Sequence, residues 1–179
     1  AVNEEGLQRA NVVSTADLQR IAPTLMIQNS NSETGGSTVR IRGVGTTGNN
    51  TGLESSVGVF IDGVYQSRPG VALGDLVDLE RLEILRGPQG TLFGRNTSAG
   101  ALNITTRRPS LSEVEGFANA SYGNYDFMNV QAGVSVPVAQ DVAAVRLSGT
   151  WRKRDGFLKS ATGATSNDRD RYMLRGQLY

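Results

Sequence analysis

The feature that most constrains the fold is a strict alternation of side chains in the last third of the chain. In residues 128–138 every second residue is apolar, and the residues between them are Asn, Gln, Gly, Ser and Pro. The same period of two returns in residues 114–123, 143–152 and 169–179. Successive side chains of a strand point to opposite faces, so this period predicts four long antiparallel strands with one apolar and one polar face.

The connections between these strands differ in length. Residues 137–141 form a tight turn, whereas residues 155–168 form a long polar segment, as is typical of bacterial outer-membrane barrels. The alternation alone also fits a soluble, secreted β-rich binding module such as a lipocalin or a sandwich. Arg146, Arg152 and Asn129 lie opposite apolar faces, which favours a barrel with a wet interior and lipid outside.

Residues before Pro109 have a mixed pattern that predicts a small α+β unit. Ser14-Thr15-Ala16-Asp17 is predicted to cap a helix that ends before Pro23, and a second helix is predicted at residues 73–81. The predicted strands lie at residues 25–28, 38–42, 57–61, 82–85 and 101–106. Asp62-Gly63 is predicted to be a turn.

The composition excludes several classes of site. The chain has neither cysteine nor histidine, which rules out disulfides, thiol nucleophiles, histidine bases and histidine or cysteine metal ligands. The net charge of +1 is too balanced for a nucleic-acid partner. No apolar run is long enough for a transmembrane helix, and residues 1–10 lack the apolar centre of a signal peptide. We therefore expect no catalytic residue, no bound metal and no cofactor.

A glycine-rich run at residues 43–48 matches the G-x-G-x-x-G pattern of dinucleotide-binding proteins, and Asp62 lies where a ribose-binding acid would be expected. Such a site needs a helix that begins at the last glycine, beneath the pyrophosphate. The residues after Gly48 begin no helix, so we interpret the run as a loop. An oxidoreductase remains an alternative that nucleotide binding would reveal. A second run, residues 86–100, lacks the Lys-Ser/Thr of a phosphate-binding loop.

Five segments resemble, in order and spacing, the plug domain of TonB-dependent outer-membrane receptors. They are VRIRG at 39–43, VFIDGVY at 59–65, LERLEILRGPQG at 79–90, LFGR at 92–95 and GALNITTRRP at 100–109. Each segment alone is weak, but five in sequence are specific. The resemblance covers residues 18–109, and the strands that follow continue the family's pattern.

The resemblance implies an α+β plug domain at residues 1–109, followed at residues 110–179 by the first four or so antiparallel transmembrane strands of a β-barrel. A complete barrel has roughly 22 strands, so we expect an incomplete barrel and a chain truncated at both ends. The implied protein is no enzyme. It is a receptor of the bacterial cell outer membrane, surrounded by outer-membrane lipid, that takes up a scarce ligand such as a ferric siderophore or vitamin B12. The TonB protein of an inner-membrane complex would supply energy through an N-terminal box, which is not recognisable before Leu7.

The resemblance also implies two sets of functional residues. Arg42 and Arg86 match plug arginines that face acidic residues of the barrel wall, and Glu83 matches a nearby acid. The ligand is expected at outward loops near residues 32–36, 46–53 and 64–69. The ligand-binding residues expected there are Asn49, Asn50, Tyr65, Gln66 and Arg68. Together they offer an aromatic face, amides and a cation, which suit an anionic or oxygen-rich chelate.

Overall fold

The computed structural model describes residues 2–3, 6, 17–28, 38–46, 54–67, 77–159 and 165–179. The chain separates into two compact units, Ala1–Arg107 and Arg108–Tyr179. The division predicted after Pro109 lies two residues further along the chain. Among the described residues, no helix has both the length and the apolar character that crossing a membrane requires.

A five-stranded sheet forms the frame of the first unit. Its elements in chain order are β1 (Val2–Asn3), α1 (Leu18–Ile21), β2 (Leu25–Gln28), β3 (Thr38–Ile41), β4 (Val57–Ile61), β5 (Val64–Tyr65), β6 (Leu79–Arg86), α2 (Gly90–Phe93) and β7 (Gly100–Thr106). The strand order in the sheet is β1-β6-β7-β4-β5, and β2 and β3 form a separate antiparallel pair. Among the strands that the structure describes, only β4 and β7 pair in parallel, so these two strands join through a long crossover.

One hydrophobic cluster connects the sheet, α1 and the β2–β3 pair. Its fully buried members are Leu18, Leu25, Val39, Ile41, Val57, Val59, Leu82, Leu102 and Ile104. In β3 the predicted alternation is confirmed, because Val39 and Ile41 are buried whereas Arg42, just after the strand, is exposed. Four of the five residues of β4 are buried. Val57 and Val59 belong to the hydrophobic cluster, and the Phe60 ring packs against Tyr65 and Phe93.

Two tight turns use the left-handed backbone region at both central residues. Asp62 and Gly63, with φ of 50° and 80°, connect β4 to β5 and confirm the predicted turn. Arg42 and Gly43 have φ of 54° and 78° and return the chain from Ile41 to an antiparallel bridge with the residue after Gly43. Positive φ at both central positions matches the twist of a hairpin, which explains glycine at the second position.

The helix predicted at residues 73–81 is wrong for the part that the structure describes. Leu79 begins β6, which pairs with β7 from Leu79 opposite Thr106 to Arg86 opposite Gly100. The backbone bonds to β7 outweigh a local apolar spacing too short to separate helix from strand. The strand predicted at residues 82–85 is correspondingly longer, and residues 73–76 lie outside the described residues.

The predicted first helix is present as α1, but its predicted cap is not. Asp17 occupies the cap position and makes no side-chain capping bond. Its carboxylate lies instead 3.4 Å from the guanidinium of Arg20, one turn along the helix. Residues 14–16 of the predicted cap lie outside the described part of the chain.

The second unit is a four-stranded antiparallel sheet that confirms the four strands predicted from the alternation. The strands are β8 (Glu115–Gly123), β9 (Phe127–Ala139), β10 (Ala143–Arg154) and β13 (Arg169–Leu178), in the order β13-β10-β9-β8. The tight turn follows Ala139, slightly later than predicted. The predicted long loop contains a small hairpin of β11 (Leu158–Lys159) and β12 (Thr165–Ser166).

Burial in this sheet is the reverse of that in a soluble sheet. On the polar face, Arg146 and Arg152 are only 1% and 3% exposed, and Ser135 is fully buried. On the apolar face, Leu147 and Leu174 are 58% and 83% exposed. The apolar side of the strands is therefore the side that the chain leaves uncovered.

Candidate functional site

Tyr65 is fixed by a hydrogen bond and by ring contacts. The side-chain amide of Asn96 donates to the Tyr65 hydroxyl at 2.9 Å. The Tyr65 ring lies 5.6 Å from Phe60, which in turn lies 4.9 Å from Phe93 of α2, measured between centroids. The phenol is thus held in one orientation by the segment that follows α2. Its ring packs against Phe60, which packs against Phe93.

Gln66 is the second predicted ligand-binding residue that the structure describes. Its backbone N–H donates to the carbonyl of Val59 at 2.8 Å, which extends the β4–β5 pairing by one residue. Its side-chain amide donates to the carbonyl of Val64 at 3.2 Å. Tyr65 and Gln66 are therefore consecutive residues at the end of a hairpin that backbone hydrogen bonds hold. The amide oxygen of Gln66 can accept a hydrogen bond from a ligand. Asn49, Asn50 and Arg68 lie outside the described residues.

Described residues on the two sides of positions 47–53, which contain two of the predicted ligand-binding residues, contact each other. The Thr46 hydroxyl donates to the carbonyl of Glu54 at 3.0 Å and accepts from the backbone N–H of Ser56 at the same distance. The glycine before Thr46 has a steric role, because a Cβ at Gly45 would lie 2.6 Å from the Arg40 side chain. Close packing and a turn thus account for the described glycines of the G-x-G-x-x-G run.

Arg42 and Arg86 both lie near Gly100 of β7. Gly100 is the register partner of Arg86, and the Ile41 side chain packs against Gly100 so closely that a Cβ there would lie 2.7 Å from it. Both arginines are exposed. Neither guanidinium has a hydrogen-bond or ion-pair partner among the described residues, so both are available to acceptors outside the unit.

Glu83, the third residue predicted to act in plug–barrel ion pairing, is engaged within the sheet. One oxygen of its carboxylate accepts from the Asn103 amide at 2.9 Å, across the β6–β7 pair. The other lies 3.4 Å from the guanidinium of Arg81. Glu83 is therefore bonded to Asn103 and Arg81 rather than to Arg42 or Arg86.

Asp62, which would bind a ribose in a dinucleotide site, has its carboxylate occupied. Its two oxygens accept from the backbone N–H and the hydroxyl of Thr106, each at 2.8 Å. The acid joins the β4–β5 turn to the end of β7, and each of its two oxygens already accepts a hydrogen bond within the unit.

Comparison with known proteins identifies the family. The family model described as TonB-dependent Receptor Plug Domain matches residues 1–101. The chain belongs to the TonB-dependent receptors. Relatives of this kind are receptors of the bacterial outer membrane, which confirms the predicted localisation of this receptor chain.

Individual relatives agree with this placement. The pesticin receptors of Yersinia enterocolitica and Yersinia pestis are 31% identical over 164 residues, which is 91% of this chain and 24% of theirs. The ferric yersiniabactin uptake receptor of Yersinia pestis superposes with a TM-score of 0.82 at 28% identity, covering 99% of this chain and 27% of that one. The ferripyoverdine receptor of Pseudomonas aeruginosa shares the fold, with a TM-score of 0.70 at 18% identity over 88% of this chain and 20% of its own. The receptor chain thus spans about a quarter of the length of the relatives that it matches.

Three residues that organise the receptor site were not predicted from the sequence: Asn96, Asn103 and Thr106. Asn96 lies in the left-handed region, with φ of 64°, where asparagine is enriched. That enrichment is the only sequence signal for it, and it does not point to Tyr65. Asn103 and Thr106 lie on β7. Their partners, Glu83 and Asp62, are near them because β7 lies between β6 and β4 in the sheet.

Proposed function

We propose that this chain is the plug domain and the first wall strands of an outer-membrane transporter that imports a ferric siderophore or a comparable scarce chelate. The family places it among TonB-dependent receptors. Two relatives that it matches are named for the uptake of ferric yersiniabactin and the binding of ferripyoverdine. The role is transport rather than catalysis, and the energy comes from the inner membrane through the TonB protein.

The observation that carries the membrane part of this proposal is the reversed burial of the second sheet. A soluble sheet buries its apolar face and exposes its polar face. Here Leu147 and Leu174 are exposed while Arg146 and Arg152 are buried. Lipid is the solvent that suits such an outer face, and a wet interior suits the polar one.

The apolar face has the height that a bilayer requires. The stretch from Met128 to Val138 in β9 is about 33 Å long at about 3.3 Å per residue, which is about 25 Å for a strand tilted by about 40°, the height of the apolar band of outer-membrane barrels. Near the Met128 end, Trp151 and Tyr172 are register partners on this face, and the Trp151 indole donates to Asp170 at 3.0 Å. Aromatic side chains with a polar group are typical of the level where hydrocarbon meets head groups.

In this proposal Tyr65 and Gln66 contact the ligand, together with Asn49, Asn50 and Arg68. The first two are supported by their placement on a braced hairpin with the phenol held in one orientation. The other three remain predictions from the resemblance. Arg42 and Arg86 anchor the plug through carboxylates of barrel strands outside this chain, which their exposure permits. Glu83 as a further anchor also remains a prediction.

The test is iron-limited growth of a strain in which the gene for the complete receptor is deleted. Complemented and deleted strains are supplied with ferric yersiniabactin, ferripyoverdine, a ferric hydroxamate, a ferric catecholate or cobalamin, each with and without functional TonB. We expect one ferric chelate to support growth only when both receptor and TonB are present. Uptake that persists without TonB, or no difference between the strains on any ligand, would contradict the proposal.

A solubility measurement separates this function from a soluble binding module. The complete receptor is expected to fractionate with the outer membrane and to require detergent for extraction. A secreted module would remain in solution without detergent, and in that case the exposed apolar face would need another explanation.

A further inference from the structure

Two connections of the second sheet lie at the same end of its strands and contact each other. One is the β8–β9 turn, residues 124–126, and the other is the long connection of residues 155–168, which we call the arm. They lie together because Met128 at the start of β9 is opposite Lys153 near the end of β10. The backbone N–H of Asp155 donates to the carbonyl of Tyr125 at 2.8 Å and so joins the arm to the turn.

The base of the arm is closed by close packing and by a hydrogen bond. A glycine in a long polar loop usually suggests a hinge, but a Cβ at Gly156 would lie 2.6 Å from the carbonyl oxygen of Ser166. Next to this contact, the guanidinium of Arg154 donates to the carbonyl of Asn167 at 2.8 Å. The described residues of the arm then continue into the β11–β12 pair. Gly156 therefore serves the close approach of two backbones rather than a hinge.

Side chains add a second connection between the arm and the turn. The rings of Tyr125 and Phe157 lie 5.8 Å apart and are tilted by 48°. The guanidinium of Arg154 lies over the Phe157 ring, 4.8 Å from its centroid. Tilted aromatic pairs and a cation over a ring are both attractive arrangements. The same arginine thus holds the base of the arm and the ring that contacts the turn.

The backbone of the β8–β9 turn is strained at Tyr125. Tyr125 and Asp126 have φ of 60° and 49°, in a turn where asparagine and glycine are usual. A bulky residue with positive φ is rare and persists only where its surroundings fix it. The hydroxyl of Tyr122 donates to the Asp126 carboxylate at 2.7 Å, and the arm contacts Tyr125. The ring contact with the arm is therefore the structural reason for a tyrosine at this position.

We propose that the β8–β9 turn and the arm open and close as one cooperative group, and that the arm is a fixed post rather than a lid. Local unfolding in proteins proceeds through such contiguous groups. A lid needs residues at its base that absorb a change of backbone conformation, whereas this base is packed. The inference goes beyond the proposed function and rests on it only for the position of the post. Longer connections of outer-membrane barrels lie on the outer side, so the post stands at the outer mouth.

The test is amide hydrogen exchange of the complete receptor, purified in detergent without any ligand and followed by mass spectrometry. Gly156→Ala should speed exchange by at least about tenfold in the peptide that contains Leu158, because Ser166 has to move. Exchange should also accelerate in the peptide that contains Tyr125, since the two connections open together. Gly123→Ala is the matched control, because a Cβ there would lie 3.5 Å from the Phe127 ring, an ordinary contact. It should change exchange by less than about twofold.

A second variant examines the ring contact without disturbing the base of the arm. Tyr125→Asn removes the ring, and asparagine tolerates the positive φ at this position. We expect exchange in the arm to become about two- to tenfold faster. Tyr125→Phe keeps the ring and should leave exchange in the arm within about twofold of the wild-type rate.

Three results would overturn the inference. They are exchange in the wild-type arm as fast as in an unstructured peptide, acceleration by Gly156→Ala in the arm alone, and unchanged exchange in the arm of Tyr125→Asn. The measurement involves neither ligand nor TonB, so its failure leaves the proposed transport function standing. Failure of the growth experiment, in turn, would leave the exchange result unaffected.

Discussion

The carboxylate of Asp62 holds Thr106 at two atoms, accepting from its backbone N–H and from its hydroxyl, each at 2.8 Å. The two residues are 44 positions apart in the chain. The contact closes the β4–β5 turn onto the last residue of β7 and so joins the two strands that run parallel. A hydrogen bond to a charged acceptor contributes about 1.5–3 kcal/mol, so this pair stabilises the attachment of the β4–β5 turn to the end of β7.

Asp62→Ala should therefore speed amide hydrogen exchange at the end of β7. The substitution leaves the Thr106 N–H and hydroxyl without their acceptor, at a cost of about 1–3 kcal/mol. Exchange is followed by mass spectrometry of the peptide that contains Thr106. Asp62→Asn, which keeps one carbonyl oxygen for the N–H, should have a smaller effect. Equal exchange in all three proteins would show that the contact does not stabilise the end of β7.

Gly100→Ala should prevent the plug from reaching its native packing. Gly100 has φ of 149°, and a Cβ there would lie 2.4 Å from the Leu85 carbonyl oxygen. Backbone cannot move aside as a flexible side chain can, so the cost should exceed about 2 kcal/mol. Gly90→Ala is the matched control, because a Cβ at Gly90 meets open space. Protease resistance of the purified receptor distinguishes them, and equal resistance would contradict the prediction.

Tyr65 and Asn96 should act as one unit in ligand binding. Tyr65→Phe removes the acceptor, and Asn96→Gly removes the donor while tolerating the positive φ at that position. We expect each change to weaken binding of the imported chelate by about two- to tenfold, with a coupling of about 1 kcal/mol in the double-mutant cycle. The measurement is equilibrium binding to the complete receptor. Strictly additive effects would mean that the hydrogen bond does not position the phenol.

Leu147→Arg should lower the amount of receptor in the outer membrane. Leu147 is 58% exposed on the apolar face. On a soluble sheet the substitution would be nearly neutral, but at the middle of a bilayer an arginine costs about 2–4 kcal/mol. Receptor abundance is measured in membrane fractions, with Leu147→Ile as the control of similar volume. Normal abundance of the arginine variant would argue that this face does not meet lipid.

Loss of both Arg42 and Arg86 should loosen the plug without preventing insertion of the receptor. Their guanidiniums have no partner among the described residues, so the plug itself should fold without them. We expect Arg42→Ala with Arg86→Ala to keep abundance and ligand binding, to raise sensitivity to large antibiotics and to disturb energised uptake. Lysine at both positions should restore the phenotype only in part, because it lacks the planar fork of arginine. Wild-type antibiotic sensitivity would remove these arginines from the set of plug anchors.

The sequence was most informative where a pattern repeats. Strands β9 and β10 were predicted with their faces, because a period of two sustained over ten residues leaves no other regular structure. The prediction failed at Leu79–Arg86, where a short apolar run fits a helix or a strand until its partner is known. That partner, β7, is fixed by tertiary pairing rather than by local preference.

The site could be predicted only in outline. The five plug segments gave the family, and they gave Tyr65 and Gln66 their place beside the hairpin turn. The hydrogen bond from Asn96 joins residues 31 positions apart, and no local pattern contains such a contact. The polar face of the second sheet was predicted in part, through Arg146 and Arg152. That Arg152 lies opposite Arg171 could be known only from the register between β10 and β13.

The parallel pairing of β4 with β7 also sets an order of events during export and folding. Val57 is the partner of Gly100, so most of the plug sequence must be present before β4 acquires that neighbour. Closing so long a segment has an entropic cost that precedes any gain from pairing. Until β7 arrives, the apolar strand Val57–Ile61 has an open edge that can pair with other chains. A nascent receptor in the periplasm is therefore expected to depend on a holding chaperone until residue 106 has emerged.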